Sequence, residues 1–242
     1  MPYLPTNRLL SGHQALRRFL ASRFDREAAV STAQDFPRFQ QRTLAGEYDL
    51  VVTGPPLAWA AYRAGVVIPV AVATRPLRIY VVVARNSAVR TLADLRGKAI
   101  GILPPPSFAP AILTDMLRAH GLKADSDIAL SYDSTPYNSV LAAALGEIDA
   151  AAYPSVSLPS LPAELLNRVR NVEVSSEFPA AVFCARRAPD LPSPEALQSA
   201  LLNFANETPE GTAFVREMGH EGLRAADLQA MKSLDRFLPN AG

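Results

Sequence analysis

The sequence predicts an α/β protein with two lobes, each built around a mixed and mostly parallel β-sheet, joined by two crossover strands. Segments typical of strands and of helices alternate along most of the 242 residues, and the alternation starts afresh near residue 90. Such alternation favours parallel sheets covered by helices on both faces. Hydrophobic residues make up 49% of the chain, enough for a substantial core. We place the crossovers near residues 74–78 and 176–180, so that residues 1–75 and 180–242 form one discontinuous lobe and residues 76–179 form the other.

The first half of the chain is predicted to alternate between helices and strands. Side-chain caps and apolar residues at helical spacing predict the helices, and continuous apolar runs predict buried strands. A Gly-Pro pair directly after an apolar run marks the end of a strand, as at Gly54 and Pro55. The predicted elements are, in order, a helix from Thr6 or Asn7, a strand at 28–33, a helix from Asp35 to Gly46, a strand at 49–53, a helix to Gly65, and strands at 66–73 and 78–84.

The second half repeats this pattern and ends in helices. Thr135 is a predicted helix cap, and Gly146 is a C-terminal helix signal eleven residues further on. The predicted elements are a one-turn helix at 91–97, a strand at 98–103, a helix opened by Pro106 and Ser107, a strand at 127–132, a helix at 135–145, a strand at 148–152, a helix near 160–168, strands at 172–176 and 180–185, and helices at 193–206, 208–218 and 225–237.

The composition excludes several classes of protein. The formal net charge is +1 and the basic residues are scattered, so neither a nucleic-acid surface nor a basic membrane-binding tail is predicted. The single cysteine, Cys184, excludes an internal disulfide and a multi-thiolate metal site, and its apolar strand makes it a core residue. No apolar run approaches the roughly 20 residues that a membrane-spanning helix needs.

Several segments carry a resemblance to a known family. The first is Thr43–Pro55 (TLAGEYDLVVTGP), and the second is Thr91–Lys98 (TLADLRGK), which a strand and then Pro106-Ser107-Phe108 follow. The others are Ser134–Asn138 (STPYN) and Leu145–Ala152 (LGEIDAAA). Together they resemble the phosphate/phosphonate-type solute-binding proteins of ABC importers, which have the type II periplasmic binding protein fold. The resemblance implies a protein that clamps a small anionic or polar ligand between its lobes and works with ABC transporter membrane subunits.

The chain departs from the family pattern at its ligand-binding positions. The resemblance implies that a Ser/Thr-rich turn at a helix start in the second lobe holds the anion, and here Ser107 stands in that turn. At the position where the relatives carry a histidine, this chain has Pro136, and where they carry a further acidic residue, it has Pro154. Fewer groups therefore remain to hold a phosphonate and an ammonium beside it, which leaves the ligand open between a phosphonate, a phosphate and a small organic acid.

A second departure lies at the start of the chain. The relatives begin with a central strand, whereas this sequence begins with Met1-Pro2-Tyr3, so we expect that strand to be missing or nearly so. Either the start position explains the gap, or the sheet has exposed edges that invite a strand from a partner. No signal peptide is recognised at this start. The resemblance implies a periplasmic protein whose targeting segment lies outside this sequence, and a cytoplasmic location is the alternative.

Candidate binding residues follow the predicted strands, because ligands of open α/β sheets bind outside the carboxyl ends of the strands. Two of them have a structural alternative, since Ser107 and Thr135 could each serve only as a helix N-cap. Tyr137 and Tyr153 could serve only in packing, and Arg75 and Arg78 are interpreted as exposed charges at the first crossover. The candidates are Tyr3, Thr53, Gly54, Pro55, Ser107, Phe108, Ser134, Thr135, Tyr137 and Tyr153.

No catalytic, metal or cofactor site is predicted. The sequence contains none of the common nucleophile, dinucleotide, phosphate-loop or metal-ligand motifs, and its three histidines are interpreted as surface or capping residues. We therefore predict a monomeric, non-enzymatic binding protein that does not bind nucleic acid. The alternatives are a ligand-sensing domain of a signalling protein and an enzyme on the same fold, of the menaquinone-pathway or pyrimidine-synthase-like kind.

Overall fold

The structure, a computed structural model, describes residues 6–105 and 107–238. The described strands are β1 (Leu50–Thr53), β2 (Val67–Ala73), β3 (Ile79–Ala84), β4 (Lys98–Ile102), β5 (Ile128–Tyr132), β6 (Ala150–Pro154), β7 (Val169–Val174), β8 (Val182–Arg186) and β9 (Leu223–Ala225). The α-helices are α1 (Thr6–Phe24), α2 (Phe36–Leu44), α3 (Pro55–Arg63), α4 (Ala109–Ala119), α5 (Pro136–Leu145), α6 (Ala163–Leu166), α7 (Pro194–Glu207), α8 (Pro209–Glu217) and α9 (Leu228–Met231). Short 3-10 helices span Leu92–Leu95, Ser155–Ser160 and Lys232–Phe237.

The described residues form two compact units. Residues up to Pro76 and from Pro179 onward form the first unit, and Leu77–Phe178 forms the second. The chain therefore passes between the units twice, inside both of the predicted crossover segments. Leu77 and Phe178 form an antiparallel bridge, in which each amide donates to the other residue's carbonyl at 2.9 Å.

The first unit contains a four-stranded sheet in the order β1-β8-β2-β9. Strand β8 returns from the second unit and enters between β1 and β2, pairing with both in the antiparallel sense. The core of this unit is built from apolar side chains that the amphipathic helices turn inward, and Trp59 of α3 is only 2% exposed. The Trp59 indole N–H donates to the Asp235 carboxylate at 2.7 Å, which attaches the last 3-10 helix to α3.

The second unit contains a five-stranded sheet in the order β5-β4-β6-β3-β7. Strands β5, β4 and β6 are parallel, whereas β3 is antiparallel to both β6 and β7. Helix α5 covers an apolar cluster on one face, which includes Val82, Val140, Tyr153 and Leu165. This arrangement brings the carboxyl ends of three parallel strands to the same edge.

The predicted α/β fold class with two sheets is confirmed, but of the two described sheets only the second is mixed, and neither is mostly parallel. All three described neighbour pairs of the first sheet are antiparallel, and the second sheet has two parallel and two antiparallel pairs. The reason is that β8 and β3 follow the crossovers directly, without an intervening helix. Parallel pairing needs a crossover connection, and the two parallel pairs here join strands that α4 and α5 connect.

Some local predictions were wrong. Residues 28–33 are not a strand among the described residues, where arginine side chains bond two of their carbonyls: Arg17 donates to that of Ala28 and Arg42 to that of Thr32. The predicted helix at 225–237 is instead strand β9 followed by two short helices. The helix predicted near 160–168 is reduced to the single turn of α6. These segments are short, and long-range pairing outweighs local preference in them.

Candidate functional site

The carboxyl edge of the second sheet gathers several of the predicted binding residues. Strand β4 leads into the turn before α4, which carries Ser107 and Phe108, and the neighbouring strand β5 leads into Ser134 and Thr135. The Asp133 amide donates to the Ile102 carbonyl at 2.9 Å, so the exits of these two strands lie side by side. The structure thus brings the candidates from the two segments to adjacent positions of one edge.

Ser107 lies in the turn but does not cap the helix. Helix α4 begins at Ala109, and its N-cap is Phe108, which has helical backbone angles (φ −76°, ψ −14°) and makes no side-chain cap. The Ser107 amide donates to the Pro104 carbonyl at 3.1 Å, which holds the turn. Its hydroxyl oxygen is buried and has no hydrogen-bond partner among the described residues. An unpaired buried hydroxyl is costly, so this atom is poised to accept or donate one further bond.

The first turn of α4 offers backbone donors beside that hydroxyl. The first N–H groups of a helix have no intrahelical partner, and the helix dipole adds partial positive charge there. Pro110 at the second position supplies no N–H, which leaves those of Ala109 and Ala111. Phe108 packs edge-on against Phe178, with ring centroids 5.6 Å apart, so its ring is tied to the second crossover segment.

Thr135 and its neighbours are arranged differently. The Thr135 hydroxyl accepts from the Asn138 amide at 3.2 Å, so this residue is the N-cap of α5, as one of its two interpretations predicted. The Ser134 hydroxyl accepts from the Asn138 side chain at 3.4 Å. Tyr137, in the first turn of α5, is 42% exposed. These hydroxyls are exposed at the edge but already have local partners or solvent.

Tyr153 is a packing residue, which corrects its place among the candidates. It is 3% exposed and stacks on Tyr80 of the neighbouring strand, with ring centroids 5.5 Å apart. Alternation along β6 turns its side chain under α5 rather than toward the sheet edge. Burial, and to a smaller extent the neighbouring Tyr80, raises the pKa of its hydroxyl to about 12.

The candidates of the first unit lie at the end of β1. Thr53 is fully buried, and its hydroxyl has no partner among the described residues. Gly54 is the N-cap of α3 without a side-chain bond, and Pro55 and Pro56 occupy the first two helical positions. Neither proline has an N–H, so this helix start offers fewer backbone donors than most. Tyr3 lies outside the described residues.

Few charges border the edge of the second sheet. Among the described residues there, Arg78 is the one base, and it forms an ion pair with Glu177 at 2.5 Å. Asp133 accepts a hydrogen bond from the Ser139 hydroxyl at 2.7 Å. The other crossover arginine, Arg75, pairs with Glu221 at 2.6 Å in the first unit. Both arginines are thus paired charges, and an anion at this edge would depend on neutral donors.

The cysteine and two of the histidines are buried or have a side-chain partner. Cys184 is completely buried, and burial raises the pKa of its thiol. His220 is 5% exposed and so is not a surface residue, one of the two interpretations given for the histidines, whereas the Nε2 atom of His120 lies 2.9 Å from the Glu173 carboxylate. Within the described residues, no group of His, Cys, Asp and Glu side chains could hold a metal ion. No described helix combines the length and apolar character needed to cross a membrane.

Sequence reasoning missed one residue of this edge. Tyr132 ends β5 and is 49% exposed, although its strand neighbour Ile102 is completely buried. The candidates were sought in the loops after the strands, and Tyr132 is the last residue of its strand. An aromatic side chain at the final position of a strand that leads into Asp-Ser-Thr was the available signal.

Comparison with known proteins identifies the family. The family model described as the periplasmic substrate-binding protein of phosphonate ABC transporters matches residues 1–231. The chain therefore belongs to this family, as its motifs predicted. Members of the family bind small ligands outside the cytoplasm and work with the membrane subunits of ABC transporters. Among the curated proteins, no sequence matches this chain significantly.

Solved structures share the fold at low sequence identity. XAC2383 from Xanthomonas citri bound to ATP has a TM-score of 0.79 at 19% identity, covering 93% of this chain and 91% of that chain. PhnD1 from Prochlorococcus marinus in complex with methylphosphonate has a TM-score of 0.78 at 14% identity, covering 97% and 93%. The periplasmic aliphatic sulphonate binding protein SsuA from Escherichia coli has a TM-score of 0.59 at 23% identity, covering 93% and 75%. These similarities establish the two-lobed periplasmic binding protein fold.

Proposed function

We propose that this protein captures a small oxyanion of the phosphonate, phosphate or sulfonate type and delivers it to the membrane subunits of an ABC importer. The ligands named for the three similar structures, methylphosphonate, ATP and aliphatic sulphonates, all carry a phosphorus or sulfur oxyanion. The anion-binding part that we propose is the Ser107 turn together with the first turn of α4.

The buried, unpaired hydroxyl of Ser107 is the observation that carries this proposal. A serine that only capped α4 would accept a bond from the helix, but Ser107 makes no such bond. An oxyanion beside it would accept a hydrogen bond from the hydroxyl and further bonds from the free N–H groups of Ala109 and Ala111. Helix starts bind anions in this way without a neighbouring base. Ser134, Thr135 and Tyr137 border the same edge and are proposed as further contacts.

The remaining features of the proposed function follow from the family and the composition. We propose that the protein is a non-enzymatic monomer that acts in the periplasm, needs no cofactor and does not bind nucleic acid. Family membership favours transport over the sensing and enzymatic alternatives. In the first unit, Thr53 is the proposed counterpart of Ser107, because it also carries a buried hydroxyl without a described partner at the end of a strand.

Replacing Ser107 by alanine tests the proposed site. The probes are methylphosphonate, inorganic phosphate and methanesulfonate, and calorimetric titration measures their affinity. At least one probe is expected to bind, and Ser107→Ala is expected to weaken it by about 1.5–3 kcal/mol, the usual contribution of a hydrogen bond to a charged partner. Without ligand, the variant should be no less stable than the natural protein, because the lost hydroxyl has no partner.

Ser193→Ala is the matched control for this experiment. Ser193 caps α7 in the first unit and accepts from the Ala196 amide at 3.2 Å. Its loss should reduce the free energy of unfolding by about 1 kcal/mol and leave the affinity unchanged. If Ser107→Ala instead loses stability and keeps its affinity, the hydroxyl has a structural role and the proposed anion site is wrong.

A further inference from the structure

Tyr132 carries one of the most exposed aromatic rings of the second unit. Tyr132 is 49% exposed, and among the described residues the exposed large apolar residues are few: Leu44, Tyr132, Tyr137 and Leu145. Ligand pockets are lined mainly by apolar and aromatic side chains, so an uncovered aromatic residue beside a binding edge is a candidate ligand contact. Where the ring lies relative to the Ser107 turn therefore decides what it can do.

The face of the sheet on which Tyr132 lies follows from its neighbours. A Cβ placed on Gly101 would meet Ile148 at 2.6 Å and Ser139 of α5 at 3.2 Å, so position 101 faces α5. Alternation along β4 turns Ile102 to the opposite face. In the parallel register of β4 and β5, Ile102 pairs with Tyr132, so both side chains lie on the face away from α5.

That face is the one from which α4 starts. Strand β4 lies between β5 and β6. The chain runs from β4 through α4 to β5 in one direction across the sheet, and from β5 through α5 to β6 in the opposite direction. Because such connections are right-handed, α4 and α5 cover opposite faces of the sheet. Tyr132 lies one strand away from Ile102, about 4.8 Å in a β-sheet, and Ser107 follows Ile102 by five residues. Tyr132 therefore lies on the face, and at the edge, from which the chain leaves β4 toward the Ser107 turn.

We propose that Tyr132 determines specificity by packing against an apolar, planar substituent carried by the oxyanion. This inference rests on the proposed function and names its substrate class: a phosphorus or sulfur oxyanion with an aromatic body, rather than a bare or methyl-substituted one. Phe108 does not offer such a wall, since its ring packs on Phe178. Tyr137 belongs to the first turn of α5, which covers the other face.

A panel that varies the head group and the substituent separately tests this inference. The four ligands are methylphosphonate, phenylphosphonate, methanesulfonate and benzenesulfonate, and titration calorimetry measures each affinity. The preferred head group is expected to bind about tenfold more tightly with phenyl than with methyl, as an added aromatic contact allows. Tyr132→Ala should abolish this ratio, and Tyr132→Phe should keep it, because the ring rather than the hydroxyl makes the contact.

Leu145→Ala is the control, because Leu145 is 50% exposed and lies at the far end of α5. It should leave the phenyl-to-methyl ratio unchanged. An equal affinity for phenyl and methyl ligands overturns the inference, and so does a Tyr132→Ala variant that weakens all ligands alike. If neither these four ligands nor inorganic phosphate binds, the proposed function itself fails, whereas binding of inorganic phosphate alone overturns only this inference.

Discussion

At the scale of single residues, four buried polar atoms stand out because they have no hydrogen-bond partner among the described residues. They are the hydroxyls of Tyr48, Thr53 and Ser107 and the Nδ1 atom of His220. Two of the four belong to predicted binding residues, Thr53 at the last position of β1 and Ser107 five residues after β4, and ligand oxygens are partners that could satisfy them. His220 is different, because it lies beside Arg75 and the first crossover segment rather than at a strand end.

His220 makes stability depend on pH. Burial, reinforced by the charge of Arg75, lowers the pKa of His220 from 6.5 to about 4. Between these values the unfolded chain takes up a proton that the folded protein does not, so the stability contributed by neutral His220 is complete above pH 6.5 and declines as the pH falls toward 4. The loss should be on the order of 3 kcal/mol.

Urea unfolding at pH 7.5, 6, 5 and 4 measures this dependence, with His220→Gln as the comparison. Carboxylates also titrate in this range, so the difference between the two proteins isolates the histidine. The natural protein should lose more free energy of unfolding than the variant between pH 6.5 and 4. Parallel curves would show that His220 is not buried in its neutral form.

At the scale of elements, helix α5 shows how local signals position one side of the site. The Thr135 hydroxyl bonds the Asn138 amide at its start, and Gly146 ends it with a left-handed backbone (φ 77°, ψ 16°). Both ends are set by residue chemistry that is visible in the sequence, because threonine caps and a left-handed glycine satisfy groups that the helix leaves unpaired. Ser134, Thr135 and Tyr137 are thereby fixed at the edge of the sheet.

Gly146→Ala tests the helix end. A Cβ at this position would meet nothing within 4 Å, so the cost comes from the left-handed backbone alone. We expect the free energy of unfolding to fall by about 1 kcal/mol, and by less in Gly146→Asn, since asparagine tolerates this conformation better. Thermal unfolding of both variants measures the effect. Equal stability of Gly146→Ala and the natural protein would contradict the described helix end.

At the scale of the whole molecule, the two units differ in which parts of the chain they need to complete their sheets. Every strand of the five-stranded sheet comes from Leu77–Phe178, whereas β1 and β2 are linked only through β8, which the chain supplies after its second crossover. The first unit therefore cannot complete its sheet until both crossovers have been made. The second unit has all of its strands and its helices α4, α5 and α6 within one continuous segment.

Two fragments test this asymmetry. A fragment of residues 77–178 should unfold cooperatively on heating, because it keeps its sheet and its apolar core. A fragment of residues 1–76 should not, because its strands lack the strand that joins them. Circular dichroism during heating measures both transitions. A cooperative transition of the 1–76 fragment, or none for 77–178, would contradict the pairing described for the two sheets.

The sequence by itself determined the fold class, most of the helices and strands, and the family. Helix caps, such as Asp35 and Thr135, and apolar strands, such as 49–53, depend on groups a few residues apart, so local chemistry decides them. The same is true of Ser107, whose place in a turn at the end of a strand could be predicted from the prolines and the helix that follow. The family motifs then predicted a binding protein of an ABC transporter.

Tertiary structure alone decided which neighbours these segments have. It placed β8 between β1 and β2, added the short strand β9, left residues 28–33 unpaired, and turned Tyr153 into the core. It also left the Ser107 hydroxyl without a partner among the described residues and placed the exposed Tyr132 beside Ile102, the last residue of β4. The physical reason is the same in each case: strand pairing and burial depend on residues far apart in the sequence, which no local pattern specifies.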